Sequence, residues 1–158
     1  MARDRSGKRA KARAGELPGR HPKTLPAAGD HRDERPIFSF EHIDRRADER
    51  WRFLPERIDA EKLVEFVCTI AGSTWADIAT MQTGGNRRLR LHHEQEIATL
   101  DKQAQADLSR SKLDERFGDS MFRFRLGSTI RLWGFREGAT FHIVWWDDDH
   151  NVYPTDPS

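Results

Sequence analysis

Toward the C-terminal end of the chain, residues 121–153 contain three short runs in which apolar and polar residues alternate. Such alternation predicts β-strands, and Gly127-Ser128 and Glu137-Gly138 are the turn sequences that separate the runs. Gly127-Ser128 suits a two-residue type II′ turn. The pattern therefore predicts a three-stranded antiparallel meander, with the arginines of its first strand on the face opposite the phenylalanines.

Earlier residues have the three-to-four spacing of amphipathic helices. Asp59 suits the N-cap of a helix over residues 60–71, and Thr74 with Asp77 is a capping-box sequence for a second, short helix. A third helix is predicted over residues 101–113, and residues 37–40 predict a strand that pairs with the edge of the meander. We expect an α+β fold in which two or three N-terminal helices pack on one face of a small antiparallel sheet that ends in the meander.

Charge is distributed unevenly along the chain. Residues 1–35 contain ten Lys/Arg and five Asp/Glu, a net charge of +5, and because the whole chain carries +1, residues 36–158 carry −4. The first segment lacks apolar periodicity and contains several prolines and glycines. We therefore expect residues 1–35 to be a disordered basic tail and residues 36–158 to be a single α+β domain. The tail is either an electrostatic arm for nucleic acid or a variable leader without a role.

Composition argues against several classes of protein. Because the chain has a single cysteine, Cys68, we expect no disulfide framework and no zinc cluster within one chain. No apolar run approaches the roughly 18–20 residues of a membrane helix, and the N-terminus lacks the apolar core of a secretory signal. We expect a cytoplasmic protein that has no membrane partner.

The meander carries side chains suited to metal-free cleavage of RNA. That reaction needs a group that deprotonates the 2′-hydroxyl, a cation that stabilises the phosphorane and an acid for the leaving oxygen. Arginine binds phosphate in a bidentate manner, and histidine titrates near neutral pH. Alternate positions on neighbouring strands could bring Arg125, Arg131 and His142 within reach of one phosphate. The alternative is that the arginines are solvated residues on a polar outer face of the sheet.

Two other sequences suggest a metal site but do not meet its requirements. Residues 147–149 are three aspartates followed by His150, but successive side chains rarely all point at one ion, so a solvated loop is expected. His92-His93-Glu94 lacks the spacing of the helical zinc motif and is also expected to be a loop. We predict no metal and no cofactor. Trp145 and Trp146 should lie on opposite faces of a strand, one in the core and the other available to a base or a partner.

Two resemblances add to this picture. Residues 38–153 resemble a set of small uncharacterised bacterial and mobile-element proteins, which share sequences like FSFE at 38–41, STW at 73–75 and FHIVW at 141–145. Residues 100–153 resemble the RelE/YoeB toxin superfamily in their order of helices, a strand ending in Phe-Arg-Leu, a strand beginning with Ile-Arg-Leu, and a last strand followed by His and Tyr. Those toxins are mRNA interferases, free or ribosome-dependent, that use the 2′-hydroxyl as nucleophile. They are shorter and strongly basic, whereas residues 36–158 here are net acidic.

Two functions are open on this basis. The first is a RelE-like toxin, a metal-independent endoribonuclease that acts on mRNA and has an antitoxin protein and RNA or the ribosome as partners. The catalytic candidates for it are Arg125, Arg131, His150 and Tyr153, and the RNA-binding candidates are Arg123, Arg136 and His142. The second is a non-catalytic module, phage- or plasmid-related, that uses the same sheet to bind protein or nucleic acid.

Overall fold

A computed structural model describes residues 31–84 and 89–154. The strands are β1 (Ile37–Ser39), β2 (His93–Glu96), β3 (Ser120–Arg125), β4 (Arg131–Glu137) and β5 (Thr140–Asp147). They form one sheet in the order β1-β5-β4-β3-β2. The α+β class and the β3–β5 meander are confirmed. Strand β1 does pair with the edge of the meander, but it runs parallel to β5, so the sheet is mixed and not fully antiparallel.

The helices begin where the capping residues predict. They are α1 (Ala60–Ala71), α2 (Trp75–Thr80), α3 (Lys102–Ser111) and α4 (Leu113–Phe117), with 3-10 turns at His31–Asp33, Pro55–Arg57 and Ile97–Thr99. The Asp59 side chain accepts the backbone N–H of Lys62, and Thr74 forms a capping box with Asp77. The predicted third helix is divided in two at Lys112, which adopts a left-handed conformation with φ 58°.

Helices cover both faces of the sheet, and not one face as predicted. The face toward α1 and α2 buries Phe124, Leu132, Phe141, Ile143 and Trp146. The face toward α3 and α4 buries Met121, Trp133, Phe135, Val144 and Trp145. Strands β4 and β5 carry apolar side chains on both sides, and a sheet buried on both faces requires this. The arginines of the meander therefore do not lie on a solvated outer face; Arg131, for example, is only 7% exposed.

A β-bulge interrupts the alternation of β5. Trp133 of β4 pairs with Trp145, but the next residue, Gly134, pairs with Ile143, so Val144 is an extra residue. A Cβ atom at Gly134 would lie 2.1 Å from the backbone oxygen of His142, so this position requires glycine. Trp145 and Trp146 lie on opposite faces as expected, but both are fully buried, and the prediction that one of them is free for a partner is wrong.

Strand β2 occupies the edge of the sheet beside β3. The prediction of a loop at His92-His93-Glu94 is wrong, because His93 begins this strand and pairs with Arg123. The sequence of β2, His-Glu-Gln-Glu, has no apolar residue that would mark it as a strand. Charged and polar side chains are typical of edge strands, which they protect from pairing with other chains.

The loop between β3 and β4 is longer than the predicted two-residue turn. It spans residues 126–130 and is closed by the backbone N–H of Leu126, which donates to the oxygen of Ile130 at 3.1 Å. The loop matters for the site because its carbonyl oxygens accept hydrogen bonds from arginine side chains.

Residues 1–30 of the predicted tail lie outside the described residues. The described chain begins five residues before the predicted start of the domain, and the oxygen of Glu34 accepts the backbone N–H of Trp75 at 3.0 Å. Within residues 31–84 and 89–154, no helix has the length and apolar character needed to cross a membrane.

Candidate functional site

Three arginines and two histidines come together on the α3 side of the sheet; strand register places four of them, and the chain after β5 supplies the fifth, His150. Arg123 and Arg125 alternate along β3, so both side chains leave the same face. Arg131 is the direct partner of Arg125 on β4, and His93 is the direct partner of Arg123 on β2. Like charges at directly opposed positions destabilise a sheet, so this register needs a compensating interaction. We call the set of Arg123, Arg125, Arg131, His93 and His150 the cationic cluster.

Arg123 is the centre of the cationic cluster. Its Nη2 lies 2.9 Å from Nε2 of His93, and its Nη1 lies 3.0 Å from Nε2 of His150. Because a guanidinium only donates hydrogen bonds, both imidazoles accept through Nε2 and are neutral in this arrangement. The guanidinium carbon is 5.8 Å from the ring centre of Trp133 and 5.6 Å from that of Tyr153. Burial lowers the pKa of Arg123.

Arg131 and Arg125 fill the loop between β3 and β4. Nη1 of Arg131 donates to the oxygen of Ile130 at 2.9 Å, and its Nη2 donates to that of Ser128 at 3.2 Å. Nε of Arg125 donates to the oxygen of Gly127 at 2.9 Å. Burial, followed by the charges of Arg125 and Arg123, lowers the pKa of Arg131 to about 10. Arg131 is therefore a cation at neutral pH whose contacts are uncharged carbonyl groups.

No carboxylate of the described residues forms a salt bridge with Arg123, Arg125 or Arg131. Other arginines of the protein do pair with acids: Arg110 lies 2.9 Å from Asp44, and Arg57 pairs with Asp148. Buried cations are normally paired, because desolvation of an unpaired charge costs free energy. The buried carboxylate of Asp147 is the strand partner of Arg131, and its charge acts on Arg123 and Arg131 without a salt bridge. Three guanidinium groups beside this carboxylate leave an excess of positive charge, which suits an anion.

His150 is held in the cluster by the loop that follows β5. The Asp147 carboxylate, fully buried, accepts the backbone N–H groups of Asn151 at 2.7 Å and Val152 at 3.0 Å, and Nε1 of Trp133 at 3.3 Å. His150 has φ 60°, a conformation that non-glycine residues seldom adopt. Asp147 is therefore a positioning residue for the loop and for His150. Its burial raises the pKa of its own carboxyl.

The electrostatic environment keeps the His150 side chain neutral. Burial first, then the charges of Arg131, Arg123 and Arg125, lower the pKa of His150 to about 4. An anion bound among these arginines would offset their charges and move this pKa back up. The protonation state of His150 is thus coupled to occupancy of the cluster.

A cleft of about 620 Å³ opens beside Arg131 and His150. It is lined by Arg50, Asp101, Ser128, Thr129, Arg131, Asp149, His150, Asn151 and Pro154. Two carboxylates, Asp101 and Asp149, lie on this lining, so the opening is mixed in charge while the cluster beneath it is positive. The cleft gives a ligand access to the cluster.

The structure brings five of the seven predicted site residues together. Arg123, Arg125 and Arg131 share one face, and the rings of His150 and Tyr153 lie 6.5 Å apart next to them. These residues are spread over residues 123–153 and meet because β3 ends, β4 begins and the chain leaves β5 at the same end of the sheet.

The other two predicted residues lie elsewhere. Arg136 stacks on Trp75 at 4.3 Å, on the α2 side of the sheet. His142 pairs with Phe135 of β4, whereas Arg131 pairs with Asp147, five residues further along β5. At about 3.3 Å per residue, roughly 16 Å of strand separates them. The expectation that Arg125, Arg131 and His142 reach one phosphate is wrong.

Two residues of the site were not predicted from the sequence. The sequence predicts a loop at His93 because β2 has no apolar alternation, and only its pairing with Arg123 reveals its place. The sequence also predicts a solvated loop for Asp147 and the two aspartates that follow it. Asp147 is in fact the last residue of β5 and fully buried, Asp148 pairs with Arg57, and Asp149 is exposed.

The chain matches no protein-family model, and neither the curated proteins nor the solved structures contain a match. A function for this protein therefore has to be inferred from the chemistry of the residues described above.

Proposed function

We propose that the cationic cluster binds a phosphodiester of RNA and that the protein is a RelE-like, metal-independent endoribonuclease acting on mRNA. The observation that carries this proposal is that Arg123, Arg125 and Arg131 lie on one face without a carboxylate partner among the described residues. Planar guanidinium groups bind phosphate oxygens in pairs. Asp147, the strand partner of Arg131, offsets part of their charge without forming a salt bridge, and a phosphate would offset the rest.

The guanidinium groups of the cationic cluster would stabilise the transition state of RNA cleavage more than the bound substrate. In the proposed reaction the 2′-oxygen forms a bond to phosphorus while the bond to the 5′-oxygen breaks, which gives a 2′,3′-cyclic phosphate and a 5′-hydroxyl. The phosphorane carries more negative charge than the starting diester, so fixed guanidinium groups lower its free energy more. His150 would take the proton of the 2′-hydroxyl, and Tyr153 would donate a proton to the leaving 5′-oxygen.

The partners follow from the proposed activity. A toxin of this kind is neutralised by an antitoxin protein, and its substrate is mRNA, either free or on the ribosome. The basic residues 1–30, which carry eight Lys/Arg and three Asp/Glu, would add an attraction to RNA that is independent of sequence.

A second candidate function is supported by the state of His150. A general base works best when its pKa is close to the working pH, whereas the pKa of His150 is about 4 and its Nε2 already contacts Arg123. On that observation the cluster would bind the phosphates of a nucleic acid without cleaving them. The protein would then be a non-catalytic nucleic-acid-binding module.

Cleavage of defined RNA by the purified full-length chain distinguishes the two functions. We expect cleavage products with cyclic phosphate ends, with or without ribosomes, and no effect of EDTA at a temperature well below unfolding. Arg125→Ala should reduce the rate by about 10²–10³, since removing one donor to a developing negative charge has an effect of this size. His150→Ala should have a comparable effect.

Arg32→Ala is the matched control because it removes the same charge from an exposed position. Arg32 lies in the 3-10 turn beside Gly138, at the end of β4 opposite Arg131. RNA that is bound but left intact under all conditions would favour the binding module. RNA that is neither bound nor cut, or Arg32→Ala with the same effect as Arg125→Ala, would refute both functions.

A further inference from the structure

A second group of chemically reactive side chains lies at the other end of β5. The ligand atoms of Glu41, His42 and His142 all lie within 4.8 Å of one another. His142 comes from β5, where it is the partner of Ser39 on β1. The chain turns just after β1, with the N–H of Ile43 donating to the oxygen of Phe40, and this turn places Glu41 and His42 close to His142.

His142 is the feature that distinguishes this group from an ordinary surface cluster. It is 7% exposed, and neither Nδ1 nor Nε2 has a hydrogen-bond partner among residues 31–84 and 89–154. Nε2 of His42 is also buried without a hydrogen-bond partner in this part of the chain, and the two rings lie 5.0 Å apart. Buried polar atoms are nearly always satisfied, so several unsatisfied imidazole nitrogens in one place indicate that a ligand is needed there.

We infer that Glu41, His42 and His142 bind a divalent transition-metal cation of the Zn²⁺ type. Two imidazoles and a carboxylate are the ligands that such cations prefer, whereas Ca²⁺ and Mg²⁺ prefer sites built from oxygen alone. The carboxylate of Glu137 lies 3.5 Å from Nε2 of His142 and is the nearest candidate for a fourth ligand.

The geometry requires a small inward movement of the side chains. Zn–N and Zn–O bonds of about 2.0–2.2 Å place tetrahedral ligand atoms roughly 3.3–3.6 Å apart, so a separation of 4.8 Å must shorten by about 1.2–1.5 Å. Glu41 and Glu137 are exposed, with 68% and 54% of their side chains accessible, and can rotate toward the buried imidazoles.

A cation lies near the proposed site. The charge of Arg116 acts on His42 and would oppose a bound metal ion, but Arg116 is exposed and can withdraw from it.

The metal would act as a structural link. It would join the chain leaving β1 to β5 and to the end of β4, three elements that meet at the parallel edge of the sheet. About 16 Å of β5 separates His142 from Asp147, so the ion would not take part in chemistry at the cationic cluster. This inference is independent of the proposed function.

The full-length chain, freed of metal and titrated with Zn²⁺, tests this inference. Calorimetry should show one tight site, and Co²⁺ in its place should give the visible absorption of a tetrahedral complex. The melting temperature should rise by roughly 5–10 °C at a Zn²⁺ concentration about 100 times Kd, and EDTA should reverse the rise.

Substitutions identify the ligands. His42→Asn and His142→Asn should each weaken Zn²⁺ binding by about 100-fold or more, since even changes behind a ligand cost 10- to 100-fold. Glu41→Gln lies on the surface, leaves the core intact and should weaken binding as well. His150→Asn is the matched control and should bind Zn²⁺ like the unmodified chain. The inference would be overturned if the unmodified chain did not bind Zn²⁺. It would also be overturned if none of the three substitutions weakened binding more than His150→Asn does.

Discussion

His92 is a single buried histidine whose protonation is linked to folding. It is 3% exposed, and its Nδ1 accepts the backbone N–H of Arg125 at 3.1 Å. Burial first, then the charges of His93 and Arg131, lower the pKa of His92 to about 4. The hydrogen bond connects the core beneath α1 to the strand that carries two arginines of the cationic cluster.

The lowered pKa of His92 predicts that acid destabilises the protein. Between about pH 6.5 and 4 the unfolded chain binds a proton at this residue and the folded chain does not, so the free energy of unfolding falls as the pH decreases. From pH 7 to 5 the loss from His92 should be about 2 kcal/mol, at about 1.4 kcal/mol per pH unit below 6.5. Urea unfolding at several pH values measures it.

His92→Asn isolates this effect because the carboxamide oxygen can still accept the N–H of Arg125. The loss in the free energy of unfolding caused by this substitution should be largest at pH 8. It should be about 2 kcal/mol smaller at pH 5, because the buried neutral histidine itself destabilises the unmodified protein there. His150, whose pKa is also lowered, should leave part of the acid sensitivity in place. A cost that is the same at both pH values would show that folding does not lower the pKa of His92.

At the scale of elements, β3 connects the core to the candidate site through its alternation. Phe124 is fully buried on the α1 side, with ring centres 4.8 Å from Phe141 and 5.0 Å from Phe66. Its neighbours Arg123 and Arg125 point to the opposite side. The same packing that fixes Phe124 in the core therefore fixes the direction of both arginines.

Phe124→Ala should lower the free energy of unfolding by about 3–5 kcal/mol, the usual cost of emptying the site of a buried aromatic side chain. The control is Val64→Ala on α1, where the valine is 62% exposed and the change should stay within about 0.5 kcal/mol. Urea unfolding at pH 7 compares the two. A loss below about 1 kcal/mol for Phe124→Ala would mean that Phe124 does not pack in the core beneath α1.

The elements that sequence predicts well are those in which local chemistry and burial agree. Asp59 and Thr74 begin helices because their side chains satisfy free N–H groups, and residues 122–125 of β3 alternate between phenylalanine and arginine. Strand β2 has no apolar residue, and the bulge at Val144 replaces one apolar residue by two on the same face. Neither leaves a pattern in the sequence, since both depend on pairing with a distant strand.

At the scale of the whole molecule, part of the candidate site can be predicted from local sequence, and the rest depends on contacts between distant residues. Alternation predicts that Arg123 and Arg125 share a face, and the turn sequences place Arg131 on the next strand. The pairing of His93 with Arg123 and the burial of Asp147 arise from tertiary contacts that no short sequence determines. Alternation alone also predicts His142 beside the arginines, but the register of β4 with β5 places it opposite Phe135, five residues from the partner of Arg131.

The charge distribution of the whole molecule predicts how RNA binding depends on salt. Residues 1–30 carry a net charge of +5 and the cationic cluster lies within residues 31–154, so two separate regions can neutralise phosphates. For single-stranded RNA, each neutralised phosphate contributes about −0.7 to the slope of log K against log salt concentration. Arg125→Ala should therefore make the slope less steep by about 0.7, and Arg32→Ala should leave it unchanged.

Filter binding over a range of salt concentrations measures both slopes, in the full chain and in a chain lacking residues 1–30. Because Arg125 acts through the cluster, its effect should be equal in the two chains. Equal slopes for both substitutions, together with loss of binding when residues 1–30 are removed, would assign RNA binding to the N-terminal segment and not to the sheet.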